Sequence, residues 1–335
     1  MINVTFFFEA GNPDSERVEG WLSEIQPDLH FLLTKIDIHS EPALLEEYAQ
    51  QVPCILVGPY RLTNPFQLQD LRVAIGAAID RANLYTKSGD SSYKKRVDRG
   101  NELTGADRFS FWLSKHYMAV FNLLVAFYLG LPFLAPVMMK VGVAGPAKVI
   151  YTIYSPLCHQ LAFRSYFLFG EQAYYPRQLA GISNVLTYEE ISNSSQLDII
   201  AARKFIGNDI LGYKVALCER DVAIYGSMLI FGLIFTLTKR KIQSVPWYLW
   251  VVLGLIPIAV DGFSQIPGLG SNILPAWIPI RESTPFLRTL TGGLFGFFTA
   301  WYLYPVIEET MKETRRLFVR KATSIQTRQS AQEDS

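Results

Sequence analysis

The chain carries almost no excess of either charge, 31 Lys and Arg against 30 Asp and Glu in 335 residues. Proteins that gather phosphate backbones present a basic field, so this balance argues against nucleic acid as a partner. Cysteine is equally scarce. Cys54, Cys158 and Cys218 are too few to staple a chain of this length, and each is weighed by its own surroundings. There is no internal repeat, and the start lacks the positively charged region and small-residue cleavage site of a secretory signal peptide. What is abundant is apolar character: 50% of the residues are hydrophobic and 13% aromatic. That composition excludes a disordered chain and points to a protein that is partly in the membrane.

The apolar residues are unevenly spread. Residues 1–85 read as a soluble α/β domain, 86–110 have the Ser-, Gly- and charge-rich composition of a linker, 111–310 are dominated by long apolar runs, and 311–335 form a basic and then polar tail. In the first domain, β-rich runs at 4–8, 30–38 and 54–57 alternate with helical spacing at 13–25, 42–50 and 67–82. This order resembles the glutaredoxin branch of the thioredoxin-like fold, and Val52-Pro53 matches the Val-Pro pair that the family places before a core strand. The resemblance implies a cis bond at Pro53. It also exposes a departure, since Asn12-Pro13-Asp14-Ser15 stands where the family has Cys-x-x-Cys. Without a nucleophilic and a resolving thiol the domain is expected to be redox-inactive, with Cys54 serving as core filling.

A bilayer core of about 30 Å asks for about 20 mostly apolar residues per helix. Residues 117–139, 222–238, 246–260 and 286–307 are read as four spans. Residues 146–169 carry Cys158, His159, Gln160 and Arg164 at their centre, and charge at that depth is costly or functional. The basic stretches 94–96, 239–241 and 312–321 fall on one side with four spans and are split by a fifth. The positive-inside rule therefore favours four, with 146–169 as a re-entrant or interfacial helix and the N-terminal domain cytoplasmic. The expected architecture is an α/β thioredoxin-like domain plus an all-α multi-pass domain in the cell membrane, with lipid and other membrane subunits as its partners. Trp247, Trp250, Trp277 and Trp301 suit an interfacial aromatic belt, and Gly292, Gly293 and Gly296 suit close helix packing.

With this topology, several polar motifs reach the non-cytoplasmic face together: Cys158-His159-Gln160, Arg164-Ser165, Cys218-Glu219-Arg220-Asp221, Asp261-Gly262 with Gln265, and Arg281-Glu282-Ser283 with Arg288. Over roughly residues 150 to 305 these five ordered motifs resemble the bacterial membrane-protein family catalogued as domain of unknown function 2085. That family's pattern is Cys-His-Gln, Arg-Ser, Cys-x-Arg-Cys, Asp-Gly-x-x-Gln, and an Arg-rich stretch before a Thr-Gly helix. The resemblance implies a topology and a set of sites but no reaction. This chain departs from it at Asp221, which replaces the second Cys of Cys-x-Arg-Cys, and by an insertion around residues 174–213.

Three readings of the Cys/His/Cys/Asp group stand side by side. Cys158, His159, Cys218 and Asp221 have the donor chemistry of a Zn or Fe site, although consecutive helical residues point about 100° apart, which makes Cys158 and His159 awkward joint ligands. The alternatives are a Cys158–Cys218 disulfide and polar residues that merely knit helix ends together. Asp261 and Arg288 are expected to form an ion pair. Alternatively, Arg164, Arg220, Arg281 and Arg288, with Asp261 and Gln265, form a cofactor- or headgroup-binding cluster for an anionic group. Two functions follow: a binding or assembly subunit with a Cys/His/Asp site, or a metal-dependent or thiol redox enzyme acting on a lipid or quinone-like substrate.

Overall fold

The computed structural model describes residues 2–89, 91–100, 102–193, 198–265 and 281–333. The chain divides into two compact units, Met1–His116 with Glu309–Ser335, and Tyr117–Glu308.

The first unit is built on a four-stranded mixed sheet. In chain order it contains β1 (Asn3–Phe8), α1 (Pro13–Leu29), β2 (Leu32–Asp37), α2 (Pro42–Tyr48), β3 (Cys54–Val57), β4 (Tyr60–Thr63), α3 (Leu68–Lys87) and α4 (Ser91–Gly100). The strand order is β2-β1-β3-β4, with β1 parallel to β2 and antiparallel to β3, and β3 antiparallel to β4. Strand β4 is absent from the sequence reading because it is short and largely exposed. Helix α4 occupies part of the stretch with linker composition.

The period-two alternation of the strands sorts their side chains into two cores. Val4, Phe6, Ile55 and Val57 pack with Val18, Leu22 and Ile25 of α1 and with Leu71 and Ile75 of α3. Phe7, Ile36 and Cys54 lie among the second group, with Leu44 and Tyr48 of α2 and Val319 from the last helix. The Phe7 and Tyr48 rings stack at 4.2 Å between centroids. Cys54 is fully buried, and burial pushes its thiol up, as expected of core filling. The Val52-Pro53 bond is cis. Asn12 caps α1 through Oδ1, which accepts the N–H groups of Asp14 and Ser15 at 3.0 and 3.2 Å.

The second unit holds most of the apolar helix. The elements continue with α5 (Gly105–Lys140), α6 (Ala144–Tyr154), β5 (Ser165–Leu168), α7 (Tyr188–Ser192), α8 (Ile199–Lys204), β6 (Gly207–Asn208), β7 (Gly212–Cys218), α9 (Glu219–Leu237), α10 (Trp247–Phe263) and α11 (Pro285–Glu333). Among the described residues three helices, α5, α9 and α11, are long and apolar enough to cross a membrane, rather than the four expected. The remaining candidate, 246–260, lies in α10, whose middle is π-helical. At 1.5 Å per residue its length is about 25 Å, short of a bilayer core. The re-entrant or interfacial helix expected over 146–169 is shorter than expected. Helix α6 stops at Tyr154, with Ser155 as its C-cap just before Pro156, and the chain then runs on to β5. Residues 311–335, expected as a tail, are helical as far as Glu333.

Two close approaches fix the geometry that matters for function. Gly292 and Gly296, one turn apart on α11, sit against α9: a Cβ at Gly296 would lie 2.2 Å from the Ile224 carbonyl oxygen, and one at Gly292 would lie 2.7 Å from that of Arg220. Gly293 has open space around it. The second approach is the sheet β5-β7-β6, in which Ser165 pairs with Cys218 across antiparallel strands. Of the aromatic belt, Trp250 and Trp301 donate their ring N–H groups to Thr299 Oγ1 and the Gln243 carbonyl, both at 3.0 Å, whereas Trp277 lies outside the described residues.

Two outcomes test this packing. Asn12→Ala removes the α1 cap and should lower the stability of the first unit by about 1 kcal/mol, read as faster amide exchange in α1 of the full chain. Gly296→Leu should abolish the approach of α11 to α9 and yield protein that aggregates on detergent extraction, whereas Gly293→Leu should be tolerated.

Candidate functional site

Strand β7 ends at Cys218, which is also the N-cap of α9, so its Sγ occupies the place where a Ser or Asp oxygen commonly sits. The sulfur accepts the Asp221 N–H at 3.5 Å. Residues at the N-cap and three positions later lie on one side of a helix start, so Cys218 and Asp221 are brought together by local geometry alone. Cys158 comes from the irregular segment after α6, and its Sγ accepts the Cys218 N–H at 3.3 Å. The donor atoms of Cys158, Cys218 and Asp221 all lie within 4.8 Å of one another, and the cysteines are free thiols. His159 is exposed and stands outside this group of three, because the next residue along the chain faces away.

Lys214 is a site residue that sequence reasoning missed. It is completely buried, and its ammonium donates to the carbonyls of Gln160 at 2.8 Å and Arg203 at 2.7 Å. Gln160, at a left-handed φ of 52°, in turn donates from Nε2 to the Tyr151 carbonyl at 2.9 Å. The segment carrying Cys158 is thereby tied to α6, β7 and the end of α8. Burial pushes the Lys214 ammonium down to about 7, opposed by the nearby Cys158. A hydrogen bond from the Cys218 thiol holds Cys158 below the ordinary thiol range, so Cys158 is the first of the pair to ionise. The signal available in the sequence was a charged residue inside an otherwise apolar strand, Gly212–Cys218.

The arginines of the motifs converge, and each meets a carboxylate. Arg164 binds Glu282 in bidentate fashion at 2.9 and 3.1 Å. Arg288 pairs with Glu282, lies 3.6 Å from Glu219, and donates to Gln265 Oε1 at 3.1 Å and the Phe163 carbonyl at 3.3 Å. Asp261 takes Arg220 on one oxygen and Arg281 on the other, the latter at 3.0 Å. The expected Asp261–Arg288 pair is therefore replaced by two separate sets, since Glu219 and Glu282, absent from the predicted site, are the nearer partners of Arg288. Four arginines at one level require several carboxylates, which was the available clue. Both Glu219 oxygens and Arg220 Nε are buried without a hydrogen-bond partner.

These elements enclose a cavity of about 350 Å³, lined by both cysteines, Asp221 and His159 together with Arg164, Arg220 and Arg288. Of the residues predicted as a site, Cys158, Cys218 and Asp221 meet directly, while His159 joins only the cavity wall. Arg164, Arg220 and Arg288 line it as well, and Asp261, Gln265 and Arg281 support it from behind.

Residues 203–302 match the family described as "Predicted membrane protein (DUF2085)". An uncharacterized protein of Methanocaldococcus jannaschii is 28% identical over 206 residues, covering 59% of this chain and 96% of that relative. With the three long apolar helices, the match marks this chain as a membrane protein.

Because Arg288 is 2% exposed and offsets two buried carboxylates, its loss should be severe. Arg288→Ala should destabilise the protein by about 3–5 kcal/mol, and Glu282→Gln by less, because one acceptor oxygen remains. Thermal unfolding of both variants in detergent, followed by tryptophan fluorescence, measures the order.

Proposed function

We propose that this protein is a multi-pass membrane protein that holds a divalent transition-metal ion, zinc or iron, on Cys158, Cys218 and Asp221. The observation that carries the reading is the convergence of these three donors within 4.8 Å at the wall of a cavity. Zinc bonds of about 2.3 Å to sulfur and about 2.0–2.2 Å to oxygen separate tetrahedral ligand atoms by about 3.5–3.8 Å, so modest closure completes the site. The Lys214 ammonium lies near Cys158, the thiol of the pair that ionises first. The fourth position faces the cavity and is filled by water or by His159 after a turn of its backbone.

In this reading the α/β domain is a redox-inactive thioredoxin-like module on the cytoplasmic side, and α5, α9, α10 and α11 are the spans, α10 crossing a locally thinned bilayer. The protein serves as a binding or assembly subunit. The cavity beside an open coordination position supports a second reading, a metal-dependent enzyme, since catalytic zinc keeps one position free for water or substrate.

Elemental analysis of detergent-purified protein equilibrated with zinc and then desalted tests the site. One zinc per chain is expected, none in Cys218→Ser, and retention in Asp221→Cys, where a softer thiolate replaces the carboxylate. A parent protein without bound metal removes the reading. The topology is tested with single cysteines at Gln178 and Ser244 in a chain whose native cysteines are alanines: a membrane-impermeant maleimide applied to intact cells should label the first and spare the second.

A further inference from the structure

We propose that Cys158 and Cys218 are a reversible dithiol–disulfide couple whose oxidation empties the metal site they share, so that small organic disulfides regulate its occupancy. This rests on the metal reading above and adds a control to it. The two sulfurs are neighbours, their donor atoms within 4.8 Å, and both cysteines line the cavity of about 350 Å³. Cys218 stands at the junction of β7 and α9, and Cys158 in the irregular chain between α6 and β5, where its Sγ accepts the Cys218 N–H at 3.3 Å. The third thiol, Cys54, is fully buried in another core and serves as an internal reference.

The chemistry needs an oxidant, and a low-molecular-weight disulfide supplies it. One cysteine thiolate attacks a sulfur of the reagent, forming a mixed disulfide and expelling the reagent's other half as a thiolate. The second cysteine thiolate then attacks the protein sulfur of the mixed disulfide, closes Cys158–Cys218 and expels the remaining half. Two electrons pass from the cysteines to the reagent, which leaves as two thiols. The product offers no anionic sulfur. Of the three donors only the Asp221 carboxylate remains, which cannot hold a soft ion alone, so the metal is released.

Bis(2-hydroxyethyl) disulfide is small and neutral enough to enter the cavity and is the probe. Zinc-loaded full-length protein in detergent is treated with it, zinc release is followed with a chromogenic chelator, and thiols are counted by alkylation after denaturation. Expected are loss of the bound zinc, a fall from three alkylatable thiols to one, a Cys158–Cys218 cross-linked peptide by mass spectrometry, and recovery of zinc binding after reduction. Cys158→Ser and Cys218→Ser should each instead keep half of the reagent as a mixed disulfide on the remaining cysteine. Protein that never takes up zinc yet forms the cross-link supports the couple and removes the metal reading alone. Three alkylatable thiols after treatment, with or without zinc, overturn the couple.

Discussion

Everything at the site depends on one electrostatic constraint: guanidinium groups withdrawn from bulk water must have carboxylates beside them. Arg288 at 2% exposure cannot be held without Glu282 and Glu219, and Arg220 and Arg281 share Asp261 in the same way. Such pairs do little for net stability, because desolvation consumes most of the Coulombic gain, but they fix geometry, since displacing one member strands another. Here they connect the start of α9, the end of α10, the start of α11 and the segment before β5. The cysteines ride on two of these elements.

The same constraint weighs on what the cavity can take. Arg164, Arg220 and Arg288 line it, which suggests an anionic ligand until their partners are counted. Most of their donors are already directed at carboxylates, while the buried Arg220 Nε is left without a partner. An incoming phosphate would compete with Glu282 and Asp261 for positive charge already committed. Among the described residues no arginine is paired with Cys158, Cys218 or Asp221, so a cation proposed there takes no carboxylate from Arg164, Arg220 or Arg288. The commitment of these guanidinium groups to carboxylates supports the proposed metal reading over an anionic headgroup.

Much of the first unit was legible in the sequence because strand alternation and helical spacing are local signals: 54–57 coincides with β3, and the reading at 13–25 falls short of α1 only at its C-terminal end. Strand β4 was not legible, being short and exposed, and neither was α4 inside a polar stretch. In the second unit composition found α5, α9 and α11, and its remaining apolar run coincides with the shorter α10, because hydropathy records apolar character and not helix length. Several residues that converge in the structure were legible in the sequence, and their pairings were not. Cys158, Cys218 and Asp221 were named from polar motifs, but Lys214 was hidden by its strand, and Arg288 was given Asp261 because nothing local discriminates among Glu219, Asp261 and Glu282, which are apart in the chain and adjacent in space.

Asp221 is the position at which this chain differs from the Cys-x-Arg-Cys pattern it resembles, and the difference has a chemical consequence. A site with three thiolates keeps one sulfur ligand after any single disulfide forms, and a soft ion retains a foothold. With Asp221 in the third place, the two remaining sulfurs are each other's only partners within the group. In the proposed metal site, oxidation would then remove both soft ligands in one step, and a lone carboxylate binds zinc weakly and iron(II) no better. In that reading an aspartate in place of the third cysteine would convert a graded loss of affinity into an all-or-none one, which follows from counting ligands.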